Sequence, residues 1–438
     1  MPEKHLIPEK EQINFTGEDE IETPIDFVTL GSCIIDDIYQ ESPPKLLYSN
    51  VLGGAGIYAA LGARIFREIK GNGVDSKSVG MIVHEGCDFP VDAKVELQSW
   101  CLSSIFVRTP HRLTTRGKNV YSKEGVRDFE FLTPKIQVDH AMLSGRFLTS
   151  KSYHLICTPI RCIELVKGIM SRRKALKNEH PQWNSDQFQT PFIVWEPMEH
   201  CCRPSELQSV FEAMDFVDVF SPNDRELFAL FNEDNQGEGT IAQQDLQQYC
   251  KTLLAQGFGL KPSAVVVRMG EDGCFVASHT RNVALPAYHT PLKHVKQEDR
   301  ATWKNRVTDP TGGGNAFLGG YCIGLLMDEW RDLGPGLTAF EGSALVGSIS
   351  ASFAIEQSGM PTLSYHEGKE LWNGERSLDR LDVMRERVEK LDITKVSGEL
   401  FDKFSPWEVS KRSAATGTTS QRLVHRRSTI KDARTRIS

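Results

Sequence analysis

The chain has 438 residues, of which 39% are hydrophobic and 25% charged, enough to bury a large core in one big domain or two ordinary ones. Its 51 Lys and Arg against 58 Asp and Glu leave a formal charge of −7, which gives no electrostatic reason to expect nucleic-acid binding, so an anionic ligand needs a local site. The ten cysteines include no CxxC pair and read as reduced thiols, and no run of about 18 apolar residues marks a membrane span.

Residues 1–24 are polar and acidic, with neither a basic segment nor an apolar one to follow it, so a disordered start and a cytoplasmic location are expected, with the nucleus left open. Ile25–Ile35 reads as a strand, Gly56–Phe66 as a helix with small residues on one face, and Ser78–Val83 as a second strand. Residues 37–52 and 105–133 depart from this rhythm: alternating Thr, Val, Phe and Tyr punctuated by Gly and Pro predict a small antiparallel sheet standing off the body as a lid. Within it, Thr114-Thr115-Arg116 reads as an exposed hairpin, with ligand contact as the alternative.

Further along, Tyr153–Cys157, Phe192–Trp195, Phe216–Phe220 and Ala264–Met269 are short apolar runs of the kind buried on both faces of a parallel sheet. Segments 161–173, 203–214, 224–232 and 241–256 carry helical spacing between them, so an α/β, doubly wound sheet follows. Residues 171–190 and 287–306 are long, polar and irregular, and read as insertions. His200-Cys201-Cys202 lacks further ligands at finger-like spacing and reads as loop thiols. The body is expected to close near residue 365. A C-terminal helical extension over 366–407 and a basic, disordered tail over 408–438 follow; the tail is either a solvated extension or a contact for an acidic protein partner.

The strongest chemical signal is Asp309-Pro310-Thr311-Gly312-Gly313-Gly314-Asn315, followed by apolar positions 317, 318, 321, 325 and 326. Three glycines permit a tight turn and close approach of a ligand, and the first N–H groups of the helix that follows have no intrahelical partners. Together with the helix dipole they would form a cradle for a phosphate; taken alone, the motif reads equally as a glycine turn that only packs closely. No Gly-Lys-Ser/Thr is present, so the turn is not a Walker P-loop.

Three other motifs accompany it: Val51-Leu52-Gly53-Gly54-Ala55-Gly56, Ser221-Pro222-Asn223-Asp224-Arg225-Glu226, and Arg268-Met269-Gly270-Glu271-Asp272-Gly273. In this order the set resembles the PfkB, or ribokinase-like, carbohydrate kinase family over roughly residues 25–365. The resemblance implies a central sheet flanked by helices with a small β lid, ATP and Mg2+ as cofactors, and a small hydroxylated substrate. It places Asp36 on the substrate hydroxyls, with Asp37 leaving the register ambiguous, and Gly53 and Gly54 against the substrate. Asn223 and Glu226 are implied to organise magnesium and the nucleotide phosphates, although the pair also reads as a helix cap. Arg268, Gly270 and Gly273 fall where the nucleotide passes, with Arg268 in place of a small hydroxyl residue. Gly312, Gly313 and Gly314 match the anion hole, Asp309 opens the signature, and Asn315 stands where the family has its catalytic aspartate.

An amide cannot take a proton from a hydroxyl, and general-base catalysis is worth about 10²–10⁴-fold, so Asn315 divides the functional reading. One expectation is a slow ATP-dependent kinase for a sugar-like or nucleoside-like substrate; the other is an impaired relative that binds a nucleotide or metabolite as a regulatory or scaffold protein. Ile34 and Tyr58 replace asparagines that meet the sugar in ribose-type members, which argues against a simple pentose, and Trp195-Glu196-Pro197 replaces an Asp-Pro-Asn stretch. The glycine triplet followed by Asn315, the long insertion before it and the polar tail together resemble the fungal killer-maintenance type of PfkB-related protein. A homodimer through the lid edge is left open. An NAD-type oxidoreductase is excluded, because no Gly-x-Gly-x-x-Gly follows the first strand.

Overall fold

The computed structural model describes residues 24–389 apart from 42–44, 69–74, 123–126, 144, 182, 184–187, 233–242, 260, 262, 290–305 and 328–335. The expectations for residues 1–23, for most of the 287–306 insertion and for the basic tail lie outside the described residues.

Short apolar runs fold as buried strands because helices cover both faces of the sheet they join. Nine of them, β5 (Ser103–Thr109), β4 (Val79–Gly86), β1 (Phe27–Thr29), β8 (Ser152–Cys157), β9 (Phe192–Pro197), β10 (Val219–Phe220), β11 (Ala264–Arg268), β12 (Cys274–Ser278) and β13 (Asn282–Leu285), line up in that order. The first seven run parallel and the last two turn back antiparallel.

Alternation along the strands divides the core. Phe27, Met81, Val194 and Val266 face one layer with residues of α1 (Ala55–Arg64), α7 (Gly313–Gly324) and α8 (Ala339–Ala354). Val28, Ile82, Trp195 and Val267 face the other, with residues of α3 (Pro159–Glu179), α4 (Leu207–Met214), α5 (Asp224–Phe231) and α6 (Gln243–Gln256). A shorter helix, α2 (Val91–Ser99), follows β4.

Helices α1 and α7 pack backbone to backbone. A Cβ on Gly62 would collide with the Ala316 carbonyl and one on Gly319 with the Ala59 carbonyl, while the Tyr58 ring lies on Gly312. The pairs 58 with 312 and 62 with 316 show that the helices run in the same sense, so the glycine pair that opens α1 and the glycine turn that opens α7 lie side by side.

Several expectations are corrected. The predicted strand Ile25–Ile35 breaks at 30–33: β1 enters the main sheet, while β2 (Ile34–Gln40) leaves it for the lid. The lid comprises β3 (Lys45–Gly53), β2, β6 (Arg116–Tyr121) and β7 (Arg127–Phe131) in that order, and it is mixed rather than antiparallel, because β2 and β6 pair parallel. Residues 105–109, assigned to the lid, belong to the edge strand β5 of the main sheet, since their apolar side chains continue its core. The helix predicted over 161–173 runs to Glu179 and absorbs the first half of the 171–190 insertion.

The segment from 366 also departs from expectation, beginning as a hairpin of β14 (Leu363–His366) and β15 (Lys369–Trp372) before α9 (Ser377–Glu389). Ion pairs buried in the core make it part of the compact unit, which ends at Ile393. Arg64 of α1 grips Glu370 through two 2.7 Å hydrogen bonds, and Arg380 of α9 holds Glu356 at 2.8 and 3.0 Å. Among the described residues no helix is long and apolar enough to cross a membrane.

Candidate functional site

The glycine turn is fixed from both flanks. Backbone N–H groups of Thr308 and Asp309 donate to the Ile355 carbonyl just beyond α8, and the Asp309 carboxylate accepts the Thr311 N–H at 2.9 Å. From the lid, the Tyr121 hydroxyl donates to Asp309 at 3.3 Å and meets the Thr311 hydroxyl at 2.5 Å, a bridge across 188 residues that no local pattern predicts.

Gly312 caps α7 with φ +79°, the left-handed region that a side chain disfavours, and Tyr58 occupies the space where a Cβ would go. The Gly313 N–H turns back to Pro310 and that of Ala316 to Gly312. The N–H groups of Gly314 and Asn315 are left for a ligand at the positive end of the helix. The Asn315 side-chain oxygen is buried with no hydrogen-bond partner, which is uncommon for an amide.

Beneath this turn, a row of polar side chains crosses the α7-facing side of the sheet. The buried Thr29 hydroxyl and His154 Nδ1 lie 3.0 Å apart. His154 Nε2 is 3.5 Å from Glu196, Glu196 is 2.7 Å from Arg268, and Arg268 is 3.5 Å from Glu226 and 3.0 Å from the Ser221 carbonyl. The guanidinium lies so close to the Gly314 Cα that any side chain at 314 would displace it. Parallel register explains the row: Thr29 pairs with His154 in adjacent strands, and the alternate residues Glu196 and Arg268 share the face of Val194 and Val266. Burial by itself would raise the Glu196 carboxyl; the guanidinium of Arg268 and the ring of His154 win and hold it below the usual range. For Glu226 burial wins, over the opposing pull of Arg268, and pushes it to about 7.

His154 and Glu196 were missed as members of a site. Their only signal in the sequence is a titratable residue interrupting an apolar strand, a pattern that does not say what lies opposite.

Asn223 and Glu226 form a complete capping box on α5: the Glu226 N–H donates to Asn223 Oδ1 at 2.8 Å, and the Asn223 N–H to Glu226 Oε2 at 2.7 Å. Asn223 Oδ1 and Glu226 Oε2 are thus engaged internally, with a guanidinium 3.5 Å from the Glu226 carboxylate. A hard, partly hydrated dication asks for free anionic oxygens in octahedral array, and this set does not fit it. An anion, by contrast, fits the glycine turn and Arg268 together. Gly270 (φ +54°) and Gly273 (φ +85°) shape the turn from β11 to β12; a Cβ on Gly273 would meet the Leu285 carbonyl, while nothing lies within 4 Å of one on Gly270.

On the substrate side, Asp36 is buried at the base of the lid, and its carboxylate fills the space where Cβ atoms on Gly53 and Gly117 would be. Asp37 instead accepts the Asn50 N–H within the lid at 3.1 Å, so Asp36 is the member of the pair placed at the helix-proximal end. Gly54 caps α1 at φ +91°, and Ile34 packs where its side chain would be. Ile34 and Tyr58 thus contribute apolar packing here, and the expected loss of asparagine contacts has a structural cause.

Thr114 and Thr115 are buried rather than an exposed hairpin, because Thr114 N–H donates to Asp88 and Arg116 pairs with the same carboxylate at 2.6 Å. Cys201 and Cys202 are buried thiols, and among the described residues no three His, Cys, Asp or Glu gather as a metal cluster.

Residues 201–365 match the model of the pfkB family carbohydrate kinases. Protein MAK32 of Saccharomyces cerevisiae is 31% identical over 375 residues, covering 83% of this chain and 93% of that protein. An uncharacterised protein of Schizosaccharomyces pombe is 30% identical over 364 residues, 82% and 92% respectively. In fold, the chain is similar to the ribokinase of Giardia lamblia, with TM-score 0.55 and 15% identity over 84% of this chain and all of that one. It is also similar to a putative ribokinase II of E. coli solved with ATP and Mg2+, with TM-score 0.52 and 15% identity over 83% and 99%.

Proposed function

From the premise that this chain belongs to the PfkB carbohydrate-kinase family, with Protein MAK32 among its relatives, we propose that it binds the phosphate chain of ATP at Gly312–Gly314 and transfers its terminal phosphoryl slowly to a hydroxyl of a small sugar-like or nucleoside-like substrate. One observation carries the reading: a left-handed glycine cap opens α7 with free N–H groups beside a buried guanidinium. Phosphoryl transfer depends chiefly on positioning and on neutralising charge on the equatorial oxygens, and N–H groups with Arg268 supply both.

In the transfer, a bond forms between the substrate oxygen and the terminal phosphorus as the bond to the bridging oxygen of ADP breaks. Asn315 orients the attacking hydroxyl by accepting its hydrogen bond; the proton passes to solvent or to the transferred group, because an amide cannot hold it. Asp36, between Gly53 and Gly117, grips another substrate hydroxyl. The apolar packing of Ile34 and Tyr58 favours a substrate with fewer hydroxyls at that end than a free pentose.

A second reading, a nucleotide-binding regulatory relative without turnover, is favoured by the same Asn315. A phosphorylation screen over sugars and nucleosides, with ATP binding measured by calorimetry, tests both. ATP binding with weak transfer supports the first reading, binding without any transfer supports the second, and absence of binding refutes both.

A further inference from the structure

We propose that Arg268 supplies from within the protein the positive charge that a divalent metal brings to such sites, so that this chain holds the phosphate chain of a nucleotide without magnesium at Asn223 and Glu226. The inference rests on the nucleotide reading above, and three observations support it.

The first is position. The guanidinium crosses from the end of β11 to the first turn of α7, where it fills the space a Cβ on Gly314 would take, so it lies against the predicted anion hole. Only a glycine at 314 allows this approach, which gives the third glycine of the triplet a purpose that phosphate access alone does not require.

The second is anchoring. Glu196 at 2.7 Å and the Ser221 carbonyl at 3.0 Å hold the two terminal nitrogens from the sheet side, and Glu196 is itself backed by His154. Each terminal nitrogen carries a second N–H, and the fork geometry of a guanidinium suits phosphate oxygens. The Nε–H is buried and makes no hydrogen bond.

The third is the engagement of the carboxylate. Glu226 has its Oε2 committed to the Asn223 N–H and faces Arg268 at 3.5 Å, and Asn223 Oδ1 is taken by the Glu226 N–H. A dication placed there would meet a like charge and oxygens already hydrogen-bonded, both unfavourable to coordination. Sequence carried half of this: Arg268 stands where a small hydroxyl residue is usual, and Glu196 interrupts an apolar strand. Their pairing is visible only in the fold.

Two measurements on the full chain decide the matter. ATP affinity is read by calorimetry with excess EDTA and with millimolar Mg2+, for the wild type, Arg268→Ser and Arg268→Lys. The wild type is expected to differ less than threefold between the two conditions. Arg268→Ser is expected to lose at least tenfold in EDTA and to recover with Mg2+, and Arg268→Lys to stay within threefold of the wild type in EDTA. Separately, Mn2+ alone is titrated with detection by electron paramagnetic resonance, expecting no stoichiometric site below millimolar concentration in the wild type.

A tenfold or greater loss of wild-type affinity in EDTA overturns the proposal, and so does a tight Mn2+ site abolished by Glu226→Gln. The Mn2+ arm needs neither nucleotide nor a stable Arg268→Ser variant. If ATP binds under neither condition, the nucleotide reading fails, and the metal titration still shows whether these residues take a dication.

Discussion

Replacing Asn315 by Asp returns a carboxylate to the first turn of α7, and the expected result is faster turnover. A general base contributes about 10²–10⁴-fold, or roughly 2.7–5.5 kcal/mol of barrier at 1.36 kcal/mol per decade. The surroundings set where in that range the variant falls. A charge at this position gains about 0.3–1 kcal/mol from the helix N-terminus and lies one residue from the glycine that receives Arg268. Against this, Arg268 is already matched by Glu196, and the position 315 oxygen is buried, so ionisation carries a desolvation cost.

We therefore expect the lower end, about a hundredfold in kcat with little change in KM. ADP release coupled to NADH oxidation, on whichever substrate responds in the screen, reads the change, with Asn315→Ser as a small polar control that should not accelerate. Wild-type turnover at ordinary kinase rates, unchanged by Asn315→Asp, would refute the reasoning, because it would mean that proton removal never limited the reaction.

Other consequences can be checked by stability and assembly. Gly319→Ala forces a methyl into the Ala59 carbonyl, and overpacking of this kind costs about 1–3 kcal/mol or more; urea unfolding should show it, and a neutral result would mean that α1 and α7 separate freely. Arg380→Met removes the guanidinium from Glu356, which keeps His289, Arg306 and Asn373, and takes away the bond to the buried Ser352 hydroxyl, for an expected loss of about 1.5–3 kcal/mol, read as a fall in Tm; a Tm within a degree or so of the wild type would show that the hairpin and α9 are not held through this pair.

Glu226 gives a pH signature. Its folded value, about 7 through burial, lies above the ordinary 4.5 of a glutamate, so its stabilising share is present below about pH 4.5 and is lost as pH rises through 7, by at most about 3.4 kcal/mol. Glu226→Gln should flatten the decline in stability between pH 5 and 8, and an unchanged slope would contradict the assignment. At the lid, Leu46, Leu47 and Tyr48 on the edge strand β3 are 46%, 42% and 54% exposed. If two lids pair, the wild type elutes as a dimer and Leu47→Glu as a monomer; a monomeric wild type refutes this.

The sequence alone determined what local chemistry can dictate. A glycine triplet before an apolar helix has few conformational options, so the tight left-handed turn that opens α7 was legible, as were the parallel strands, whose unbroken apolar runs suit burial on two faces. The capping box at Asn223 and Glu226 was legible because cap and partner lie three residues apart. What the sequence could not decide depends on partners distant along the chain. Which strand carries Ile34 depends on a bend at 30–33 that no single residue imposes, and β5 belongs to the main sheet only because β4 lies beside it.

Tertiary structure alone buried Asp36 and tied Asp37 to Asn50, brought the lid residue Tyr121 to Asp309, and fastened the hairpin and α9 to the body through Arg64 with Glu370 and Arg380 with Glu356. It also joined His154, Glu196, Arg268 and Glu226, which come from β8, β9, β11 and α5. A guanidinium's partner is whichever carboxylate the strand register brings within reach. Register is set by the whole sheet and not by the residues flanking the arginine.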